Sequence, residues 1–267
     1  MTTETKRANF TAPGTRQPDL DRRFDKTQLK SQSYQHLVHR DYAAHYFRWG
    51  FIKNWVKTND KAKVLDIGCG QDLPLPSLLS HTPSFLPKTY VGVDLNKIAK
   101  KFNAKWVGGI HDEFNFIDNW KEILDQHGKF DVIVNLEVIE HMHVKDGLKL
   151  LKAMKSCLNP EGSIFLSTPC YDGKRAAANH LHEYTVPELA ESIDKAGLKV
   201  SDRWGTFMNW NALKKVATSS QLELVNQLRA YYHLDVLSIF LAPLYPDDSR
   251  NNMWRLTHPE SSQGLFD

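Results

Sequence analysis

The sequence predicts a doubly wound α/β domain of the Rossmann-like type. Three observations predict it. Short, largely apolar runs alternate with helix-like segments from about residue 60 to 200. The first run ends in an acidic residue and enters a Gly-x-Gly turn at once, Asp66-Ile67-Gly68-Cys69-Gly70. The second run ends in another acidic residue, Asp94. Apolar runs of this length are strands buried on both faces, hence a parallel sheet covered by helices, and the strand–helix alternation is that of a doubly wound fold.

The chain of 267 residues allows one large domain or two small ones. Its 41% hydrophobic and 24% charged residues exclude wholesale disorder. A net charge of +3 indicates neither a polyanion-coating protein nor an acidic tail. The three cysteines, Cys69, Cys157 and Cys170, sit at unrelated spacings. They make neither a disulfide framework nor a Cys-x-x-Cys knuckle, as expected in a reducing compartment. The N-terminal stretch lacks an apolar signal region, and the richest apolar run, Val236 to Tyr245, is too short for a bilayer. The expectation is a soluble cytoplasmic protein that does not engage a membrane.

Residues 1–35 are polar, with turn signals at Pro13-Gly14 and Pro18. Seven Lys and Arg face four Asp and Glu there, so this segment carries the whole net charge. Mixed rather than blocked charge reads as a flexible arm, with a basic arm for a polyanionic substrate as the rival. Residues 36–267 are then expected to form one domain. From His39 to Val56, Tyr42, Tyr46, Trp49 and Ile52 recur at spacings of four and three, predicting an amphipathic helix that caps the domain over 36–58. Asn59-Asp60 ends it.

Five strands follow: Lys63–Ile67, Thr89–Asp94, a weaker Lys105–Gly109, Phe130–Leu136 and Ser163–Thr168. Leu148, Leu151, Met154 and Leu158 repeat at helical spacing, and Asn159-Pro160-Glu161-Gly162 reads as the turn that closes that helix. Thr185 and Glu188 form a capping-box pattern, with Gly197 as the C-terminal stop. Lys199–Gly205 and Asn252–Thr257 are the sixth and seventh strand candidates. Between them, residues 206–250 read as a helical insertion, too apolar and aromatic to be disordered, that could lie over a pocket as a lid.

The glycines of Asp66-x-Gly68-x-Gly70 allow a sharp turn and close approach of a ligand. The next helix is expected to offer unpaired N–H groups. Asp94 stands at the tip of the second strand, where a carboxylate can take both hydroxyls of a ribose. Gln71, Asp72 and Leu73 follow Gly70, so the Gly-x-Gly-x-x-Gly cradle for a pyrophosphate is not matched.

With these residues in place, VLDIGCG, VGVDL, FDVIVNLEVIEHM and LNPEGSIFLSTP resemble, in order, the motifs of class I S-adenosylmethionine-dependent methyltransferases, in their ubiquinone-biosynthesis-like branch. The resemblance covers about residues 60–200. It implies a seven-stranded sheet whose last strand, NMWRLT, is antiparallel, and S-adenosyl-L-methionine as cofactor. Carried over by residue, it implies that Asp66, Gly68 and Gly70 meet the methionine and sugar part. Asp94 would bind the ribose hydroxyls and Leu95 pack beside the adenine. Asp112 would meet the adenine amine, with Asp118 as rival. Leu136 and Glu137 would line the methyl-transfer pocket.

Exocyclic-amine DNA methylation is disfavoured, because Asn135-Leu136-Glu137-Val138 lacks the prolines and aromatic of the corresponding motif. Cytosine-C5 methylation is disfavoured because the only Pro-Cys, Pro169-Cys170, follows the fifth strand. Direct displacement by an O, N or C nucleophile remains, with positioning and one general base supplied by the protein. Glu137, His141 and His182 are the candidate catalytic residues. The favoured acceptor is a small molecule. The rivals are a nucleic-acid base or ribose, or a silent cofactor-binding subunit. Glu137, Glu140, His141 and His180 also resemble the cation-binding set of metal-dependent small-RNA 2′-O-methyltransferases. The plainer reading is that Glu140 and His141 stabilise the helix after the fourth strand. No metal ligand is therefore assigned: the ligands would have to converge from the loops after strands four and five, and the latter, with Lys174-Arg175 and Ala176–Ala178, adds no further ligand.

Overall fold

The structure is a computed structural model that describes residues 40–58, 62–81, 86–98, 102–171, 173 and 177–262. The 1–35 arm, the first residues of the cap, Asn59-Asp60 and Lys174-Arg175 lie outside the described residues. The elements run α1 (Arg40–Thr58), β1 (Lys63–Ile67), α2 (Pro74–Ser80), β2 (Thr89–Val93), β3 (Val107–His111), α3 (Phe116–His127), β4 (Phe130–Leu136), α4 (Val144–Cys157), β5 (Leu158–Pro169), α5 (Val186–Lys195), β6 (Lys199–Phe207), α6 (Trp210–Val216), α7 (Ser219–Leu228), α8 (Leu234–Leu241) and β7 (Asn251–Thr257).

One seven-stranded sheet has the order β3-β2-β1-β4-β5-β7-β6. Strands β1 to β5 pair in parallel, and β7 runs antiparallel between β5 and β6. The order reverses between β1 and β4, so a crevice opens at the carboxyl ends of those two strands. The period of two along each strand divides the core. Leu65, Val91, Ile133 and Ile164 face one cluster with Leu150 and Met154 of α4 and Ile193 of α5. Val64, Tyr90, Val132 and Phe165 face the other with Ile52 and Trp55 of α1 and Leu79 of α2. Each such aliphatic side chain contributes about 1.5–3 kcal/mol on full burial.

The capping box is formed. Thr185 Oγ1 accepts from Glu188 N, and Glu188 accepts in return from Thr185 N. Gly197 takes φ 74° just past the helix end, the left-handed stop that glycine favours.

Three local readings need correction. Strand β5 begins at Leu158, which pairs with Phe130, so Asn159–Gly162 is an irregular start of a strand rather than a turn. Strand β3 is Val107–His111, two residues beyond the expected run, because Gly108 and Gly109 are accommodated inside it. The buried stripe of α1 is Ala44, Arg48, Ile52, Trp55 and Val56, whereas Tyr46 is 63% exposed. The helix is rotated from the aromatic stripe because a charged residue, Arg48, belongs to its inner face.

The insertion has its three helices and a small core of its own: Met208, Leu213, Val225, Leu237 and Ala242. Its Ile239 meets Ala44 of α1. It docks on the cap and on the edge strand β6, whose Phe207 joins Ile239 and Ala44.

Candidate active site

At the carboxyl ends of β1 and β2 the chain turns sharply. Gly68 and Gly70 take φ 77° and 76°. A Cβ on Gly68 would stand 2.4 Å from Val138 Cγ2, so this position requires glycine for space as well as for conformation. Gly68 N and Cys69 N both donate to Val93 O, which fixes the loop to β2. Asp94 completes the tie: Oδ2 accepts from Gly70 N at 2.9 Å, and Oδ1 accepts from Asn96 N at 2.8 Å. The helix after the loop supplies few donors, contrary to expectation. Pro74 and Pro76 have no N–H, and Ser77 N is already bonded to Leu73 O. The loop itself is what a ligand would meet.

Asp66 is buried and accepts from Tyr90 Oη at 2.7 Å. Burial lifts its carboxyl to about 7, with the Tyr90 bond opposing and the nearby Asp94 charge adding to the rise. It holds a proton beside the glycine loop, and a cation brought next to it would favour its ionised form.

These residues open on a cavity of about 950 Å³. Asp66, Gly68, Gly70, Asp94 and Leu95 line its cofactor-like end. Leu136, Glu137, Val138 and His141 line the side toward β4. Asp118 lines it and Asp112 does not. Asp118 accepts from Asn115, the N-cap of α3, while Asp112 is turned to Ile98 N. His182 also falls outside the lining: its Nε2 lies 2.7 Å from Glu188 Oε1. Among the described residues the wall over the cavity comes from His45 and Trp49 of α1, and none of it from the insertion.

Glu137 is the first residue after β4 and takes φ 57°, a left-handed conformation that costs a non-glycine residue about 1–2 kcal/mol. The surroundings hold it there. Its N–H donates to Ser167 O, Ser167 Oγ donates to Oε1 at 2.8 Å, and Asn251 Nδ2 donates to Oε2 at 2.8 Å. Arg48 Nη1 stands 3.6 Å from Oε1 and is 2% exposed. Three distant segments thus converge on one strained carboxylate. Sequence reasoning missed Arg48, Asn251 and His45, because none carries a motif.

Next to it lies a second group. Glu140, His141 and His180 offer ligand atoms that all lie within 4.8 Å of one another. The loops after β4 and β5 do converge, because Leu181 N and His182 N both donate to Glu140 O. Glu140 is fully buried, and burial together with the Glu137 charge holds its carboxyl well above the usual carboxylate range. Burial holds the His141 imidazole below the ordinary histidine value, with the Asn179 carbonyl opposing. Cys170 is buried, and burial pushes its thiol up to about 11, so it is no nucleophile at neutral pH.

A family model described as a methyltransferase domain matches residues 34–227. The ubiquinone biosynthesis O-methyltransferase of Rhizobium leguminosarum bv. trifolii (strain WSM2304) is 27% identical over 184 residues, which span 60% of this chain and 70% of that relative. The protein of the same name from Acinetobacter baylyi (strain ATCC 33305 / BD413 / ADP1) is 25% identical over 173 residues, 57% and 69% of the two chains. A solved SAM dependent methyltransferase from Archaeoglobus fulgidus superposes with a TM-score of 0.52 at 16% identity, over 87% of this chain and 99% of its own, and shares the fold.

Proposed function

Because the chain belongs to the class I S-adenosylmethionine-dependent methyltransferases, we propose that it moves the methyl group of S-adenosyl-L-methionine to a hydroxyl oxygen of a small-molecule acceptor held against Glu137 and His141. The observation that carries this reading is one continuous cavity, with Asp66, Gly68, Gly70 and Asp94 at one end and Glu137 and His141 on the wall beyond.

S-adenosyl-L-methionine supplies an electrophilic methyl group when bound. The residues of the chain bind and orient. Asp94, already fixed by Gly70 and Asn96, has lone pairs left for the two ribose hydroxyls. Asp66 faces the cationic amino-acid end, and the glycine turn lets that end lie against the backbone. Leu95 flanks the adenine, and Asp118 rather than Asp112 is the carboxylate on the wall that can take its amine. At the other end, Glu137 accepts a proton from the attacking hydroxyl or aligns it, with Ser167, Asn251 and Arg48 fixing the direction of its oxygens. Oxygen as the methylated atom is supported by a carboxylate–imidazole wall suited to a hydroxyl, and by the O-methyltransferase names of the relatives.

The test is calorimetric titration with the demethylated product, S-adenosylhomocysteine. Wild type is expected to bind at one site. Asp94→Asn keeps the shape and loses the charge-assisted contact, weakening binding by about 1.5–3 kcal/mol, or roughly 10- to 150-fold. Undiminished affinity in the variant, or none in wild type, would sink the reading. Labelled methyl transfer to metabolite, RNA and DNA pools then names the acceptor class; label in nucleic acid alone would displace the small molecule.

A further inference from the structure

We propose that His45 is the residue that selects the methyl acceptor: its Nε2–H donates a hydrogen bond to a second, carbonyl-type oxygen of the acceptor, while the hydroxyl to be methylated lies at Glu137. The inference deepens the reading above and rests on its placing that hydroxyl at Glu137.

The tautomer follows from one contact. Arg48 Nη2 lies 2.9 Å from His45 Nδ1. A guanidinium has donors and no lone pair, so Nδ1 accepts and the ring hydrogen sits on Nε2. Burial, and after it the Arg48 charge, holds the imidazole well below the ordinary histidine value, so the ring is neutral and keeps that one donor. His45 lines the cavity. With Nδ1 turned to Arg48, the polar group it can offer there is Nε2–H. The same guanidinium sets the span to Glu137. Arg48 is buried, its Nη1 donates to Thr206 Oγ1 at 3.3 Å, and the same nitrogen stands 3.6 Å from Glu137 Oε1. A donor on one side of Arg48 and a carboxylate on the other thus face one cavity at a fixed separation.

The two groups cannot serve the same oxygen. Glu137 takes or aligns the proton of the attacking hydroxyl. A donor on that oxygen would occupy the lone pair that has to attack the methyl group, and would slow transfer. His45 therefore suits a different oxygen, one that only needs to accept. Trp49 shapes the remainder: its indole is stacked on the imidazole, with centroids 5.4 Å and planes 25° apart, and it lines the same cavity. The stack holds the ring plane and with it the direction of the N–H. A ligand that displaces water from this N–H without accepting from it leaves a donor unpaired, which costs more than a missing contact. The acceptor class is a small molecule with a hydroxyl, a carbonyl-type oxygen and an apolar face for the indole.

The test is calorimetric titration of the full chain, with and without S-adenosylhomocysteine, by two probes: meta-hydroxybenzaldehyde, which has both oxygens, and meta-cresol, which has the hydroxyl alone. The cresol is the more apolar of the two, so without a donor in the cavity it binds better. Wild type should favour the aldehyde by about 3- to 10-fold. His45→Asn keeps an oxygen for Arg48 and loses the outer donor, and the preference should vanish. His45→Gln places an amide N–H at the reach of Nε2 and should restore most of it. His45→Phe serves where His45→Asn fails to fold, as judged by thermal melting. No binding of the aldehyde or no preference for it in wild type, an undiminished preference in the donor-free variant, or no recovery in His45→Gln overturns the proposal. If S-adenosylhomocysteine does not bind, the cofactor reading fails, while the aldehyde preference of the chain alone still decides the role of His45.

Discussion

Replacing Asp66 by Asn tests how the end of the cavity at β1 and β2 is charged. Asp66 lies on β1 between Gly92 of β2 and Val134 of β4, with Tyr90 as its hydroxyl partner. Asn keeps the size and can still accept from Tyr90, so the perturbation is the loss of one titrating proton. In the folded chain the carboxyl holds that proton up to about pH 7, against an ordinary 3.8. Below about pH 4 both folded and unfolded states are protonated, and the group is neutral in its effect. Between about pH 4 and 7 only the folded state holds the proton, so stability falls as pH rises; above about 7 the loss is complete. The full loss is about 4 kcal/mol, of which about 2–3 kcal/mol falls between pH 5 and pH 8. Urea unfolding of both proteins at pH 5 and pH 8 reads it directly. The advantage of Asp66→Asn over wild type should be larger at pH 8 by that amount. Other titrating groups cancel in the difference. Equal differences at the two pH values would refute the argument that burial sets this carboxyl.

Two more variants probe the supports of the site. Arg48→Met removes one partner of a buried ion pair and should destabilise the chain by about 3 kcal/mol. Combined with Glu137→Gln it should cost less than the two single losses added, and strict additivity in thermal unfolding would deny the coupling. Thr185→Ala breaks the capping box of α5 and should cost about 1 kcal/mol, with Thr185→Ser nearly neutral; indistinguishable melting of Ala and wild type would show the box contributes nothing.

The strands were legible because burial on both faces leaves an unbroken apolar run, as in Phe130–Leu136, and strand-end Asp66 and Asp94 mark the crevice. What was not legible depended on groups meeting across long separations. Arg48 belongs to the inner face of α1 only because Glu137 and Thr206 await it, 89 and 158 residues away; by itself it reads as a surface charge. Asp112 and Asp118 are chemically equal in the sequence, and the start of α3 at the Asn115 cap decides which one reaches the wall. His182 carries the chemistry of a base in the sequence, and the fold gives its ring to Glu188. The insertion is apolar enough to be a lid, but spends that surface on its own core, on α1 and on β6.

The placement of β7 bears on the order in which the chain can acquire its site during synthesis. Strand β6 leaves the ribosome before β7, yet in the sheet it is hydrogen-bonded to β7 alone among the described residues. Until residues 251–257 emerge, β6 therefore has no neighbour in the sheet and β5 keeps an open edge. The start of β7 and the residue before it bring Asn251 to Glu137 and Arg250 to Glu183. A nascent chain that stops short of them lacks the clamps on both carboxylates. Seating β6 in the sheet and fixing Glu137 and Glu183 thus depend on one stretch of chain.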